Sequence, residues 1–279
     1  MVGPRYVPRE VDDSVNVSKT HPLAEAGVLM LGLGIAFIAA TIVIVYLVEI
    51  LVGLTSVEAE MKWLTRITPD LTEQTEEAHA ATGPANDLLD RLSAQWLDAP
   101  YDFKLEITDN PEPNAMALPG GLIIVTSGLL ESIESENELA FVLGHELGHF
   151  RNRDHLRRMG RLTLLGILYT AVSRSGDIGF NISELTLRGF NRQQEAEADQ
   201  FGLELTYALY GHVNASWHFF ERLDQSSQGF MTGYLDSHPQ TAARIDDIKQ
   251  TAYNRRWRTD GELTPWHTTD ATATTQDPL

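Results

Sequence analysis

Between Leu23 and Val48 the chain reads LAEAGVLMLGLGIAFIAATIVIVYLV, with Glu25 as its single charge. A helix needs about 20 apolar residues to cross a hydrocarbon core, and the run from Ala26 to Val48 meets that length. It is too long for the apolar part of a signal peptide. No small-residue cleavage site closes it either, since EILVGLTSVEAE follows. A helix this long and apolar on every face would be unusual as the core of a soluble domain. The reading is one N-terminal transmembrane helix, residues 23–53, in a single-pass membrane protein. A polar tail (1–22) with prolines at positions 4, 8 and 22 precedes it, and an acidic linker or helix (54–84) follows. Arg5, Arg9 and Lys19 lie before the run, whereas Lys62 and Arg66 follow it beside Glu49, Glu58 and Glu60. The positive-inside rule therefore leans towards a cytoplasmic N-terminus and a main domain on the extracytoplasmic side.

The 279 residues carry 39 acidic and 21 basic side chains, a formal charge of -18. No general positive field is available to neutralise phosphates, which argues against a nucleic-acid partner. The absence of cysteine excludes disulfides, thiolate catalysis and cysteine zinc sites.

Beyond the linker, Leu88, Leu89, Leu92 and Trp96 recur at helical spacing and read as core-facing. YDFKLEIT alternates as a half-buried strand, and NAMALPGGLIIVT reads as strand, Pro-Gly-Gly turn and strand. The remainder is mostly helical. RLTLLGILYTAVS is too short to cross a bilayer and reads as a core helix in preference to a segment dipping into the membrane surface. TPWHTTDATATTQDPL is of low complexity, and residues 255–279 read as a disordered tail. The fold class is thus α+β, a mostly helical domain (85–254) with a small sheet.

Within ENELAFVLGHELGHFRNRDH, Ser135 and Glu138 form a capping-box pattern at the start of a helix. On that helix His145 and His149 stand one turn apart, so both imidazoles leave one face and can hold a single Zn²⁺ at about 2.0–2.1 Å. Glu146, about 100° round from His145, is no natural ligand but reaches a water activated by the metal. Its carboxylate takes the proton as that water attacks a scissile carbonyl. Gly144 and Gly148 are poor helix formers whose small size lets another backbone approach closely.

A third ligand is needed, and NRQQEAEADQFG offers Glu195 and Asp199 on a shared helical face, with Glu197 pointing elsewhere. Glu195 can complete a His₂Glu site with a fourth position for water. Asp199, one turn on, can orient a ligand histidine through its other ring nitrogen. The competing reading of the same acidic run is a solvated helix face.

HELGH, then NRQQEAEAD, then SHPQTAARI, over roughly residues 85 to 250, resembles the membrane-linked zinc metallopeptidases that include HtpX, the CAAX prenyl proteases and the Oma-type proteases. The resemblance implies a zincin-like gluzincin domain with one Zn²⁺, held by His145, His149 and Glu195. It implies Asp199 behind a ligand and Glu146 as general base. It also implies His238 and Arg244 near the transition state, through the H-P-x-x-x-x-R element with Pro239. His238 either stabilises the oxyanion or blocks the water position. NAMALPGG resembles the family's edge strand, which makes Asn114, Ala115, Met116, Ala117 and Leu118 substrate contacts through strand addition. HtpX-type members carry two spans after the first zinc motif, and this chain is too short there, so one anchor with a largely extramembrane domain is expected. The implied activity is zinc-dependent endopeptidase cleavage of peptide or protein substrates, such as misfolded or membrane proteins, in quality control at a lipid bilayer. Two rivals remain: a zinc-bearing but proteolytically silent chaperone or assembly factor, and a metal-free membrane scaffold.

Overall fold

The structure, a computed structural model, describes residues 21–60, 62, 76–173, 190–225, 234, 237–238 and 242–266. The expected tail 1–22 lies outside the described residues except for its last two. Most of 61–75, Pro239 and the end 267–279 lie outside as well. The chain divides into two compact units, Met1–Leu47 and Val48–Leu279. The first is described from His21 onward and consists mainly of the N-terminal part of helix α1 (Pro22–Leu54). This helix of 33 residues is about 50 Å long at 1.5 Å per residue. It is long and apolar enough to cross a membrane, and its most apolar window is wholly unburied.

In the second unit α2 (Glu76–Ser93) is followed by strands β1 (Lys104–Thr108), β2 (Ala115–Leu118) and β3 (Leu122–Thr126). Helices α3 (Ser127–Ser132), α4 (Glu136–Arg151), α5 (Asp154–Ser173), α6 (Arg192–Tyr210), α7 (His218–Gln225) and α8 (Ala242–Asn254) complete it. The sheet order is β1-β3-β2, with β1 parallel and β2 antiparallel to the central β3. This is the mostly helical fold with a small sheet that the sequence implies. Leu88, Leu89 and Leu92 are fully buried, each worth about 2 kcal/mol. The turn between β2 and β3 needs glycine, because Gly120 and Gly121 sit at φ 86° and 84°.

Helix α4 carries HELGH. Its N-cap, Ser135, accepts from Glu138 N through its side chain. The Glu138 carboxylate turns to Glu134 N at 3.0 Å and to Arg222 at 2.7 Å, so the box closes one residue earlier than the pattern suggests. Helices α4 and α6 meet backbone to backbone. A Cβ on Gly148 would lie 2.6 Å from Ala198 Cα, and one on Gly144 would lie 3.0 Å from Gly202 Cα.

One segment differs from expectation. Residues 255–266, read as disordered tail, are packed. Glu136 N donates to Thr264 O at 2.9 Å, Thr264 N to Asn137 Oδ1 at 2.8 Å and Asn214 Nδ2 to Gly261 O at 2.7 Å. The free N–H at the start of α4 needs an acceptor, and this strap supplies it. The segment 54–84, expected as an acidic linker or helix, is helical at 57–60 and from residue 76 onward. α2 begins at Glu76, before the expected start, and runs through Pro84, whose missing N–H removes a helical hydrogen bond.

Glu60, in that linker, is fully buried and binds four residues from three segments. Its carboxylate accepts from Gly120 N, Tyr101 Oη and His155 Nε2, each at 2.8 Å, and from Arg153 Nη2 at 3.2 Å. Arg153 in turn donates to Val52 O and Thr55 O, at and just beyond the end of α1. Burial opposes the Glu60 charge, but the His155 contact and the other donors outweigh it and hold its pKa down to about 2.

Two predictions follow from the packing. Gly148→Ala should lower stability by about 1–3 kcal/mol because backbone cannot yield as a side-chain end can. Gly83→Ala, where a Cβ meets nothing within 4 Å, should be neutral or stabilising. Equal thermal shifts for both would contradict the close contact. A carboxyl with a depressed folded pKa stabilises fully above its unfolded value, 4.5 here, and loses that contribution as pH falls towards 2. Wild type should therefore exceed Glu60→Gln by about 2–4 kcal/mol at neutral pH, with the gap narrowing below pH 4.5, as read by chemical denaturation. A gap that ignores pH would mean Glu60 is not ionised in the fold.

Candidate metal centre

The α4–α6 contact brings together residues 50 or so positions apart in sequence. His145, His149, Glu195 and His238 are all buried, and one donor atom from each lies within 4.8 Å of the others. His145 Nε2 stands 3.1 Å from His149 Nε2 and 3.1 Å from His238 Nδ1. Glu195 Oε1 is 3.2 Å from His238 Nδ1 and 3.5 Å from His149 Nε2, and Glu195 Oε2 is 3.7 Å from His145 Nε2. Donors bound at about 2.0–2.1 Å to a tetrahedral ion lie roughly 3.3–3.4 Å apart, so this set fits one.

The outer contacts settle which ring nitrogens face inward. His145 Nδ1 meets Asp199 Oδ1 at 2.8 Å, and His149 Nδ1 meets Asp154 Oδ2 at 3.1 Å. Nδ1 of each histidine thus faces a carboxylate, and Nε2 of each is turned towards the other. Two imidazole nitrogens and a carboxylate, buried and 3.1–3.7 Å apart, are a concentration of donor atoms that one metal ion could bind together. The arrangement is the donor set of a metal site.

Arg244, on α8, compensates the carboxylates. It pairs with Asp199 through Nε at 2.6 Å and Nη2 at 2.7 Å, and with Glu195 through Nη1. Burial opposes the charges of Glu195 and Asp199. For Glu195, His238 and Arg244 outweigh it and hold the pKa well below the usual range; for Asp199, Arg244 does the same. Burial pushes the His145 imidazole down, with Arg244 adding to that effect against Asp199 and Glu195. Burial also opposes the charge of His149, but there Asp154 and Glu195 outweigh it and raise the pKa to about 9.

Glu146 lies beside the cluster. Its Oε2 accepts from Ala117 N on β2 at 2.9 Å. Its Oε1 faces His238 Nε2 at 3.4 Å, and both atoms are buried without a hydrogen bond among the described residues. Of the expected strand contacts, Ala115 to Leu118 form β2, at the edge of the sheet among the described residues, and Asn114 immediately precedes it. Asn114 Oδ1 accepts from Ser237 Oγ at 3.2 Å, which ties the strand to the segment carrying His238. The structure therefore brings His145, Glu146, His149, Glu195, Asp199, His238 and Arg244 into one buried group. β2 joins it through Ala117.

Two residues of the site escaped the sequence reading. Asp154 begins α5 and orients His149; an acid five positions past the motif, just after a turn, is the signal that could have found it. Phe190 stacks on His149 at 3.8 Å between ring centroids, and nothing in its local sequence marks it.

A sequence model described as Peptidase family M48 matches residues 86–252. The chain is 28% identical over 179 residues to the mitochondrial metalloendopeptidase OMA1 of Schizosaccharomyces pombe, covering 62% of this chain and 53% of that protein. It is 29% identical over 185 residues to the metalloprotease LoiP of Escherichia coli, covering 62% and 70%. It is 28% identical over 159 residues to the metalloprotease YcaL of the same bacterium, covering 54% and 61%. Against the OMA1 proteins of S. pombe and Bos taurus the chain spans 53% and 31% of their lengths.

Asp199→Asn should remove the charge opposite Arg244 and the orienting contact on His145 together. The expected result is a loss of about 3 kcal/mol in stability. Metal affinity should fall about 10–100-fold in competition with a chromophoric chelator. Unchanged affinity would show that Asp199 does not orient His145.

Proposed function

Because the chain belongs to peptidase family M48, we propose that it is a membrane-anchored, zinc-dependent endopeptidase. The observation that carries the reading is the convergence of His145 Nε2, His149 Nε2 and the Glu195 carboxylate at 3.1–3.7 Å, with Glu146 beside them. His145, His149 and Glu195 are the zinc ligands. A bound Zn²⁺ supplies Lewis acidity at this point, acidifying water and polarising a carbonyl.

The chain's own groups do the rest. Glu146 Oε1 takes a proton from the attacking water and delivers it to the leaving amine nitrogen, while Ala117 N–H fixes Oε2 and so aims the carboxylate. Asp199 and Asp154 keep the Nδ1 protons of the ligand histidines and hold their rings in place. Arg244 keeps Asp199 and Glu195 ionised. His238, with Nδ1 at 3.1 Å from His145 Nε2, sits where a fourth donor would, which supports the blocking role for the resting site. Displaced from there, its ring can donate to the oxyanion of an attacked carbonyl. A substrate in extended form adds to β2, with Asn114 to Leu118 as its contacts. Ala117 N–H, already turned towards Glu146, supports this by linking the strand directly to the base.

The helix Pro22–Leu54 anchors the protein in a bilayer, and the charges flanking it favour an extracytoplasmic catalytic domain. Misfolded or membrane proteins are the substrate class, in keeping with a protease that is tethered to the membrane.

Purified in detergent, the wild type should carry roughly one zinc per chain. Glu195→Gln should lose it. Glu146→Gln should keep the metal and lose peptide hydrolysis by about 10²–10⁴-fold. Hydrolysis that persists in Glu146→Gln, or folded wild type that takes up no zinc, would defeat the proposal. Metal retention together with no hydrolysis by the wild type would point to a binding protein instead.

A further inference from the structure

One guanidinium beside the site is left over by the mechanism. Arg158 stands one turn beyond Asp154 on α5, on the face that carries the His149 contact. Its guanidinium lies over the Phe190 ring at 4.8 Å, and Phe190 is itself stacked on His149 at 3.8 Å. A single aromatic ring thus separates Arg158 from a metal-binding imidazole. Nε and Nη2 of Arg158 are both shielded from water and have no hydrogen-bond partner among the described residues. Arg244 contrasts with it, being committed to Asp199 and Glu195. Burial pulls the Arg158 pKa down to about 10, and Glu146 and Glu195 only partly offset that, acting at a distance without an ion pair.

Two shielded guanidinium nitrogens without an acceptor among the described residues are unfavourable unless something completes them. Arg presents a planar fork of donors suited to a carboxylate. A peptide laid along β2 advances about 3.3 Å per residue, so side chains next to the cleaved bond reach one ring beyond His149. We propose that Arg158 forms a specificity subsite: its guanidinium binds the carboxylate of an aspartate or glutamate within two residues of the cleaved bond. This rests on the peptidase reading above.

The test separates binding from turnover. The full chain carrying Glu146→Gln, zinc-loaded in detergent, is titrated with fluorescent peptides. These pair Glu against Gln at each position around a bond that wild type cleaves in a mixed peptide library, or around random centres if it cleaves none. At one position the Glu peptide should bind about tenfold more tightly, the size of one charge-assisted contact. Arg158→Gln should abolish that ratio and Arg158→Glu should invert it in favour of Lys. Arg158→Lys should keep part of it, with zinc content unchanged in all three. In the active protein the same discrimination should appear in KM and not in kcat. Equal binding of each pair, or a ratio that survives Arg158→Gln, overturns the subsite. So does a dependence on Arg158 seen with phosphatidylserine vesicles but with no peptide, which would assign the charge to lipid. If discrimination follows Arg158 while wild type hydrolyses nothing, the subsite stands and the peptidase reading fails.

Discussion

Helices α4 and α6 approach so closely that a single methyl group on Gly148 would strike the backbone of Ala198. The rest of the site depends on that contact. His145 and His149 leave α4 on one face, and Glu195 leaves α6 one turn before the crossing. Were the helices separated by an ordinary side-chain layer, at about 8–10 Å between axes, the carboxylate would not reach both imidazoles. Gly144, Gly148, Ala198 and Gly202 supply the absent bulk. Gly202, where a Cβ would lie 2.9 Å from His145 N, makes the contact reciprocal.

Close packing of this kind buries charge, and the structure answers it with a layered set of partners. Glu195 and Asp199 are matched by Arg244, and His145 and His149 each turn Nδ1 outward to an aspartate. What remains inside is a group of imidazole nitrogens and a carboxylate close enough to hold one cation. Farther out, Glu60 gathers donors from the β2–β3 turn, from Tyr101 and from the α4–α5 corner, while Arg153 carries that hub to the end of α1. The strand that holds Glu146 and the corner that holds His149 are therefore pinned by one buried carboxylate.

The chemistry was legible in the sequence because it rests on short-range periodicity. Histidines four apart share a helix face, and so do Glu195 and Asp199. The small residues beside them announce a close approach. The long apolar helix α1 was legible because its length and composition are those a membrane crossing requires. Asp154, Phe190 and Glu60 were not, because each acts through a contact made only after the chain folds back. A lone acid in a polar linker looks solvated until its four partners arrive. The strap 255–266 was misread for the same reason. Its polar composition suggests disorder, yet its backbone groups are the ones that meet Glu136 N at the start of α4 and Oδ1 of the buried Asn137.

The central claim is that a single ion belongs between α4 and α6, and an anomalous-difference map from crystals grown with zinc tests it most directly. The account predicts one dominant peak at about 2.0–2.2 Å from His145 Nε2, His149 Nε2 and a Glu195 oxygen. A peak elsewhere, or a Glu195 that stays on Arg244 without touching the ion, would contradict it.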